Sequence, residues 1–365
     1  MSISRIIFTS DLLRISGKLN LHHTVAKNTH WLYQVLNRPI QFATAKEIEI
    51  VEWEADGKFN GIQFFDLLEL PVSVESWAKT YFKAEVPDQV LQYFSTHFHD
   101  ALIIGFEISP FIMNIFTKLG LPCINIMWDP VRFMDDIFFC FSTNNTDIYE
   151  RLLAYQLPRT LIHQSADLQK ARFLRKAPSI DVQGTLFLGQ TSIDRSLIEG
   201  DQIRQLEEFE ADLLNLKMEA EVRFKPHPFD QKKEQRLGLM KKLGIQILED
   251  KYDTYDLLCA ESIQKVAAIS SGTTVEAHFF GKAAQTFIAP YYLFHQESPN
   301  FNEQSCIAVF DEYLSINFWA DILSPVFPFT RTLDRNLPFK PNRMRNATCS
   351  YWGYREPIQE QVLLK

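Results

Sequence analysis

The chain has 365 residues, 46% hydrophobic and 22% charged, enough core-forming material and length to favour two domains. Lys+Arg 37 against Asp+Glu 45 leaves a formal charge of −8, which excludes the broad basic face of a general nucleic-acid binder but allows a local pocket for one nucleotide. Five scattered cysteines without a CxxC pair fit reduced, mostly buried thiols of a cytoplasmic protein.

The opening MSISRIIFTSDLLRI is a short apolar run followed by charge. It lacks the long apolar core and small-residue cleavage site of a leader, and predicts a first strand. EIEIVEW predicts a second. STHFHD brings His97, His99 and Asp100 together, but ahead of a buried strand and without further ligands, which argues for a solvated turn over a metal site. ALIIGFE predicts that buried strand, and Glu107 follows it at once. An acid there has little packing purpose, and Pro110 suits a helix start, so Glu107 is a candidate general acid or base. The apolar stretch DALIIGFEISPFIMNIF is interrupted by Glu107 and Pro110, so it does not qualify as a membrane span. CINIMW predicts the next strand, with Asp129, Arg132, Asp135 and Asp136 in the following turn, where salt bridging explains them. TLIHQ reads as one more strand, and LRKAPSIDVQG (174–184) as the domain boundary.

The second half repeats the pattern. TLFLGQ, AEVRFKP, IQILED, VAAISS and QTFIAP predict strands, while DRSLIEGDQIRQLEEFEADLLNLKM and DQKKEQRLGLMKKLG predict surface helices. Short apolar runs alternating with helical periods indicate α/β halves with parallel sheets, whose ligands lie beyond the carboxyl ends of the strands. In GQTSIDRSLIEG, Gly189 allows a bend and Asp194 lies four residues beyond Gln190. On spacing alone Asp194 is a helix-start residue favoured by the macrodipole. In KPHPFD, Pro226 and Pro228 stiffen the backbone around His227 after Lys225, either to shape a turn or to aim an imidazole at a ligand. VAAISSGTTVEAHFFGK sets Ser270, Ser271, Gly272, Thr273 and Thr274 between a strand end and a helix containing Glu276. One or two hydroxyls would serve an ordinary cap, so four around a glycine favour phosphate binding. The spacing from Gly272 to Lys282 is not that of a Walker loop.

These residues resemble those of bacterial GT-B glycosyltransferases that use CMP-activated ulosonic acids. His227 and Pro228, with Ser270 and Ser271, look like the paired motifs that hold CMP in sialyltransferases and Kdo transferases. GQTSIDRSLIEG is similar to the Gly-Gln…Asp-x-Ser-Ile/Leu segment of retaining β-Kdo transferases of capsule and lipopolysaccharide O-antigen assembly. The resemblance covers mainly residues 184–285 and, more weakly, 103–136.

The resemblance implies an α/β GT-B fold, two Rossmann-like domains facing each other across a cleft. Residues 1–178 would bind the acceptor and 179–325 the CMP-sugar, with 326–365 packing back on the first domain. It implies transfer of an ulosonic acid, Kdo foremost, to a surface-polysaccharide or glycolipid acceptor with retention by double displacement. Asp194 becomes the nucleophile, although its spacing alone favours a helix-start role, Glu107 the acid/base, and His227 the stabiliser of leaving-group charge. Gln190, Lys225, His227, Pro228, Ser270, Ser271, Gly272, Thr273, Thr274 and Glu276 would form the CMP-sugar site. Arg132 or Arg195 would hold the sugar carboxylate. No cofactor, metal or nucleic-acid partner is expected. The implied location is cytoplasmic, at the inner face of the inner membrane, in peripheral contact with it or with the assembly machinery. Three alternatives stay open: an inverting CMP-sialic or pseudaminic acid transferase, a nucleotide-sugar epimerase, and a non-catalytic nucleotide-binding protein.

Overall fold

The computed structural model describes residues 3–15, 22–53, 59–176, 180–249, 252–291, 306–328, 330–332 and 344. In chain order its strands are β1 (Arg5–Ser10), β2 (Glu47–Ile50), β3 (Ala101–Phe106), β4 (Cys123–Trp128), β5 (Phe139–Thr143), β6 (Gly184–Leu188) and β7 (Ile198–Glu199). Then come β8 (Gln202–Ile203), β9 (Val222–Lys225), β10 (Gln246–Ile247), β11 (Ile263–Ala268), β12 (Ala283–Thr286) and β13 (Ile307–Val309). The first sheet has the order β13-β5-β4-β3-β1-β2, parallel from β2 to β4, with β5 antiparallel to both neighbours. The second, β10-β9-β6-β11-β12, is parallel throughout.

Sequence pattern explains this layering. β3 is buried at every position because helices cover both faces, and so it reads as a continuous apolar run, whereas the edge strand β2 alternates Glu and Ile. Helices His22–Thr44 and Ile316–Ile322 cover one face of the first sheet. Helices Gly61–Leu67, Val74–Tyr81, Asp88–Phe98 and Pro110–Lys118 cover the other. Helices Glu210–Glu219 and Lys233–Lys242 flank one side of the second sheet. The core on its other side takes in Met127, Phe133 and Phe138 of the first domain, with Phe133 against Phe280 at 4.9 Å. The two α/β domains of the expected GT-B fold are therefore present and packed on each other.

Each sheet has one point where strand order reverses, between β1 and β3 in the first and between β6 and β11 in the second. Such switch points leave a crevice beyond the carboxyl ends, where α/β proteins bind ligands. The two crevices face each other, as the side chains described below require.

Four expectations differ from the structure. TLIHQ is not a strand but lies in helix Arg159–Lys176, which starts directly after Pro158 and buries Ile162 and Ala166 against the second domain. Residues 194–218 are not one helix: Gly200, at φ 63°, turns the chain through the β7/β8 hairpin before helix Glu210–Glu219. FCFST, not among the expected strands, forms β5. The chain also returns to the first sheet at β13, ahead of the expected residue 326, because β13 pairs with β5 and helix Ile316–Ile322 packs in the first core. Of the expected C-terminal segment, 329, 333–343 and 345–365 lie outside the described residues.

This return segment is part of the first domain's core. Trp319 is fully buried and its indole N–H donates to the Tyr313 carbonyl at 2.7 Å. Trp319→Ala should cost about 3–5 kcal/mol. Urea unfolding will measure this, and a loss under 1 kcal/mol, roughly the surface-substitution range, would detach the segment from the core.

Candidate active site

The second-domain crevice is built on a tight approach between two strand ends. A Cβ on Gly189 would come 2.9 Å from the His227 amide nitrogen and 3.3 Å from the Lys225 carbonyl. Glycine is thus required for close backbone contact, not merely for a bend. Gln190 is buried, and its Oε1 accepts the Ser270 N–H at 2.7 Å across the switch point. Its Nε2 donates to Ser196 Oγ at 3.3 Å, and its carbonyl accepts from Arg236, which also pairs with Asp230 at 3.0 Å. Gln190 therefore holds the ends of β6 and β11 together with the Asp194 turn.

His227 lies partly buried on this frame. Its Nδ1 accepts the Phe229 N–H at 3.1 Å, which leaves Nε2 to carry the proton of the neutral ring and donate outward. Burial holds its pKa below the usual histidine value, although Asp230 and Asp194 pull the other way. Pro228 is exposed, and Lys225 Nζ is bonded to the Tyr252 carbonyl at 2.8 Å.

The hydroxyl cluster is partly self-satisfied. Ser270 Oγ accepts the Tyr291 N–H at 3.4 Å, Ser271 Oγ accepts the Thr273 N–H at 3.3 Å, and Thr274 Oγ1 donates to the Ser271 carbonyl at 2.6 Å. Among the described residues neither the Ser270 nor the Ser271 hydroxyl donates a hydrogen bond, and Ser270 is buried. Gly272 has φ −56°, ordinary right-handed backbone, so positive φ is not its purpose. Thr274 and Glu276 are buried.

The facing crevice belongs to the ends of β1 and β3. Glu107 has left-handed backbone at φ 51°, an uncommon state for a non-glycine residue that is often associated with functional positions. Its carboxylate accepts from Arg14 Nη1 at 2.9 Å and lies 3.5 Å from Arg195 Nη2 of the second domain. Burial alone would raise its pKa, but Arg195 and Arg14 outweigh burial and hold it below the usual carboxylate value. Arg195 also lies 4.7 Å over the Tyr291 ring, whose hydroxyl meets that of Tyr81 at 3.0 Å. Beneath Arg14, the buried Asp11 accepts from Trp77 Nε1 at 2.8 Å and Ser109 Oγ at 3.2 Å, and burial pushes its pKa up to about 6.

Asp194 is the N-cap of the 3-10 turn Arg195–Leu197, its Oδ1 accepting the Ser196 N–H at 2.8 Å. It therefore takes the helix-start role that its spacing favours. One oxygen caps, and Oδ2 takes no hydrogen bond among the described residues. Asp194 acts electrostatically on both Arg14 and His227, which sets it between the two crevices. Two cavities flank this centre. One of ≈ 560 Å³ is lined by Phe82, Ile108, Met113, Ile198 and Tyr291, and another of ≈ 550 Å³ by Ile15, Ser73, Glu75, Ser192 and Lys232.

Glu107 thus meets Arg195, the residue after Asp194, and Asp194 lies within electrostatic reach of His227. Arg132 lies 4.9 Å over the Trp128 ring, from where its charge reaches Glu107 more weakly than those of Arg195 and Arg14, and Asp129 and Asp136 accept backbone N–H groups in their own turn. His97 packs against Tyr93 at 4.9 Å. Among the described residues no cluster of His, Cys, Asp and Glu is placed to hold a metal, and no helix is long and apolar enough to cross a membrane. Arg14, Asp11, Tyr291 and Arg236 join the site without having been expected from sequence. Only Asp11, directly beyond β1, carried a signal like that of Glu107.

The site is that of a two-domain α/β protein with charged crevices facing each other. The chain matches no known family model and no curated protein. Among solved structures it is similar to the beta Kdo 2,7 transferase of Thermosulfurimonas dismutans KpsC, at 13% identity over 87% of this chain and 90% of that one, TM-score 0.41. The beta Kdo 2,4 transferase of the same protein gives 13%, 87%, 90% and 0.37. The Methanocaldococcus jannaschii UDP-GlcNAc 2-epimerase gives 12% identity over 95% and 99%, TM-score 0.28.

Glu276 clasps the domains. Its Oε1 accepts the Arg132 N–H at 2.7 Å and the Tyr255 hydroxyl at 3.0 Å, and burial pushes its pKa up to about 7 despite both bonds. A folded state that holds a proton more tightly than the unfolded chain is favoured below the ordinary value of 4.5, and loses that advantage as pH rises to about 7. Glu276→Gln keeps both acceptor bonds and removes the titration. The stability of the variant relative to wild type, from urea unfolding, should grow across that window and level off above it. A pH-independent difference would dismiss burial as the cause.

Proposed function

We propose that the protein is a glycosyltransferase that moves an ulosonic acid, Kdo foremost, from a CMP-sugar to a glycan or glycolipid acceptor with retention of configuration. The observation that carries this reading is the contact of Glu107 with Arg195 of the Asp194 turn, whose carboxylate acts in turn on His227, where two switch-point crevices face each other. Fold alone would not suffice, since the same architecture hosts many activities.

The residues divide the chemistry. Asp194 Oδ2 attacks the anomeric carbon as its bond to the CMP phosphate oxygen breaks, and the electron pair leaves with CMP. A phosphate leaving group needs no proton; His227 Nε2–H and the Ser270 and Ser271 hydroxyls take up its charge. An acceptor hydroxyl then attacks the glycosyl-enzyme and passes its proton to Glu107, and Asp194 is released. Two inversions restore the configuration. The two arginines keep Glu107 ionised, which suits a base and not an acid. Lys225, Pro228, Gly272, Thr273, Thr274 and Glu276 support the nucleotide site in this reading, Gln190 by fixing its frame. The implied location is the cytoplasmic face of the inner membrane.

The cap bond from Ser196 to Asp194 favours a second reading, in which Asp194 is structural and Glu107 activates the acceptor for a single, inverting displacement. Intact-protein mass spectrometry after mixing with CMP-Kdo, CMP-sialic acid or UDP-sugars separates the two. Retention requires a sugar adduct on wild type, absent from Asp194→Asn, which should still bind CMP but lose transfer. An Asp194→Asn enzyme with near wild-type turnover and inverted product would establish the second reading. Binding and turnover with UDP-sugars alone would exclude both.

A further inference from the structure

The double displacement puts the anomeric carbon over Asp194, and in an ulosonic acid that carbon itself bears a carboxylate. The carboxylate therefore lands beside Asp194 and near Glu107, two anions it can join only if a guanidinium with open donors is there. Three arginines are available. Arg195 is closed in, with 3% of its side chain exposed, between Glu107 and the Tyr291 ring. Arg132 stacks on the Trp128 ring as Arg14 does on Trp77, but its charge reaches Glu107 more weakly than that of Arg14 and it donates no hydrogen bond to that carboxylate. Arg14 keeps 22% of its side chain exposed, feels the charge of Asp194, and donates among the described residues only from Nη1, to Glu107. Its Nε and Nη2 fork faces no acceptor there, and a planar fork matches a carboxylate.

We propose that Arg14 is the receptor for the donor's carboxylate, and that it gives up Glu107 to take this anion. The inference rests on the CMP-ulosonate reading. Glu107 is then a competitor that occupies Arg14 in the resting site, and the incoming sugar frees it to face the acceptor hydroxyl while Arg195 retains it. Arg14 thus determines specificity, distinguishing carboxylated sugars from neutral ones, and plays no part in holding CMP.

Donor binding ahead of turnover, followed by stopped-flow tryptophan fluorescence without acceptor, tests this with CMP, CMP-Kdo and CMP-sialic acid. Wild type should prefer one CMP-ulosonate over CMP, and Arg14→Met should lose that preference by about tenfold or more while binding CMP as before. Arg14→Lys, which keeps the charge without the fork, should lose part of it. Glu107→Gln should bind the ulosonate more tightly than wild type, with CMP unchanged, and Arg14→Met/Glu107→Gln should show no such gain. A preference retained in Arg14→Met, or a Glu107→Gln gain that survives the loss of Arg14, would overturn the role of Arg14 alone. Wild type that binds neither CMP nor either ulosonate would overturn the underlying function and this inference with it.

Discussion

Glu107 holds a carboxylate on left-handed backbone between guanidinium groups from two domains, and the geometry of the cleft depends on that arrangement. A buried carboxylate alone is costly, and removing either cation would leave charge poorly compensated. Arg14 comes from the loop after β1 and Arg195 from the turn after β6, so satisfying Glu107 also sets one switch point against the other. Tyr291 extends the contact by stacking under Arg195 and reaching Tyr81. Charge compensation and domain pairing are here one constraint.

A second tier fixes the residues that would act on a ligand. Gln190 has no outward task visible in its contacts, yet its amide joins Ser270, Ser196 and the end of β6, and Gly189 brings that strand against the His227 turn. His227 is neutral because it is buried and presents Nε2–H because Nδ1 is taken by Phe229. The proton inventory at the cleft follows: a neutral donor on one side, an ionised carboxylate on the other. That division suits departure of an anionic leaving group followed by deprotonation of a hydroxyl.

The same crevice contains two carboxylates with opposite perturbations. Asp11 and Glu107 each lie just beyond a strand of the first sheet, but Asp11 is wrapped by Trp77, Ser109 and Leu13, while Glu107 meets two cations. Burial dominates in the first case and Coulomb attraction in the second, so the pKa values of neighbouring acids move in opposite directions. Asp11 thereby underpins the Arg14 loop without competing for its charge as strongly as Glu107 does.

Local pattern determined much of this protein. Mostly apolar runs marked β3, β4 and β6, since strands covered on both faces read as near-continuous hydrophobic stretches. The residue after a strand end is a position where ligands gather in parallel sheets, which is why Glu107, His227 and Ser270 could be singled out. Where periodicity was ambiguous the pattern misled: TLIHQ joined a helix and Gly200 broke an expected one. Tertiary structure alone decided that β13 returns to the first sheet and that Arg14 and Arg195 are the cations facing Glu107, whereas the cap at Asp194 was already suggested by its spacing. Those facts depend on groups as far apart in sequence as Arg14 and Glu107, or Phe139 and Val309. Helical and strand periods report only a residue's own neighbourhood, whereas partners across a domain interface are chosen by how the two sheets meet.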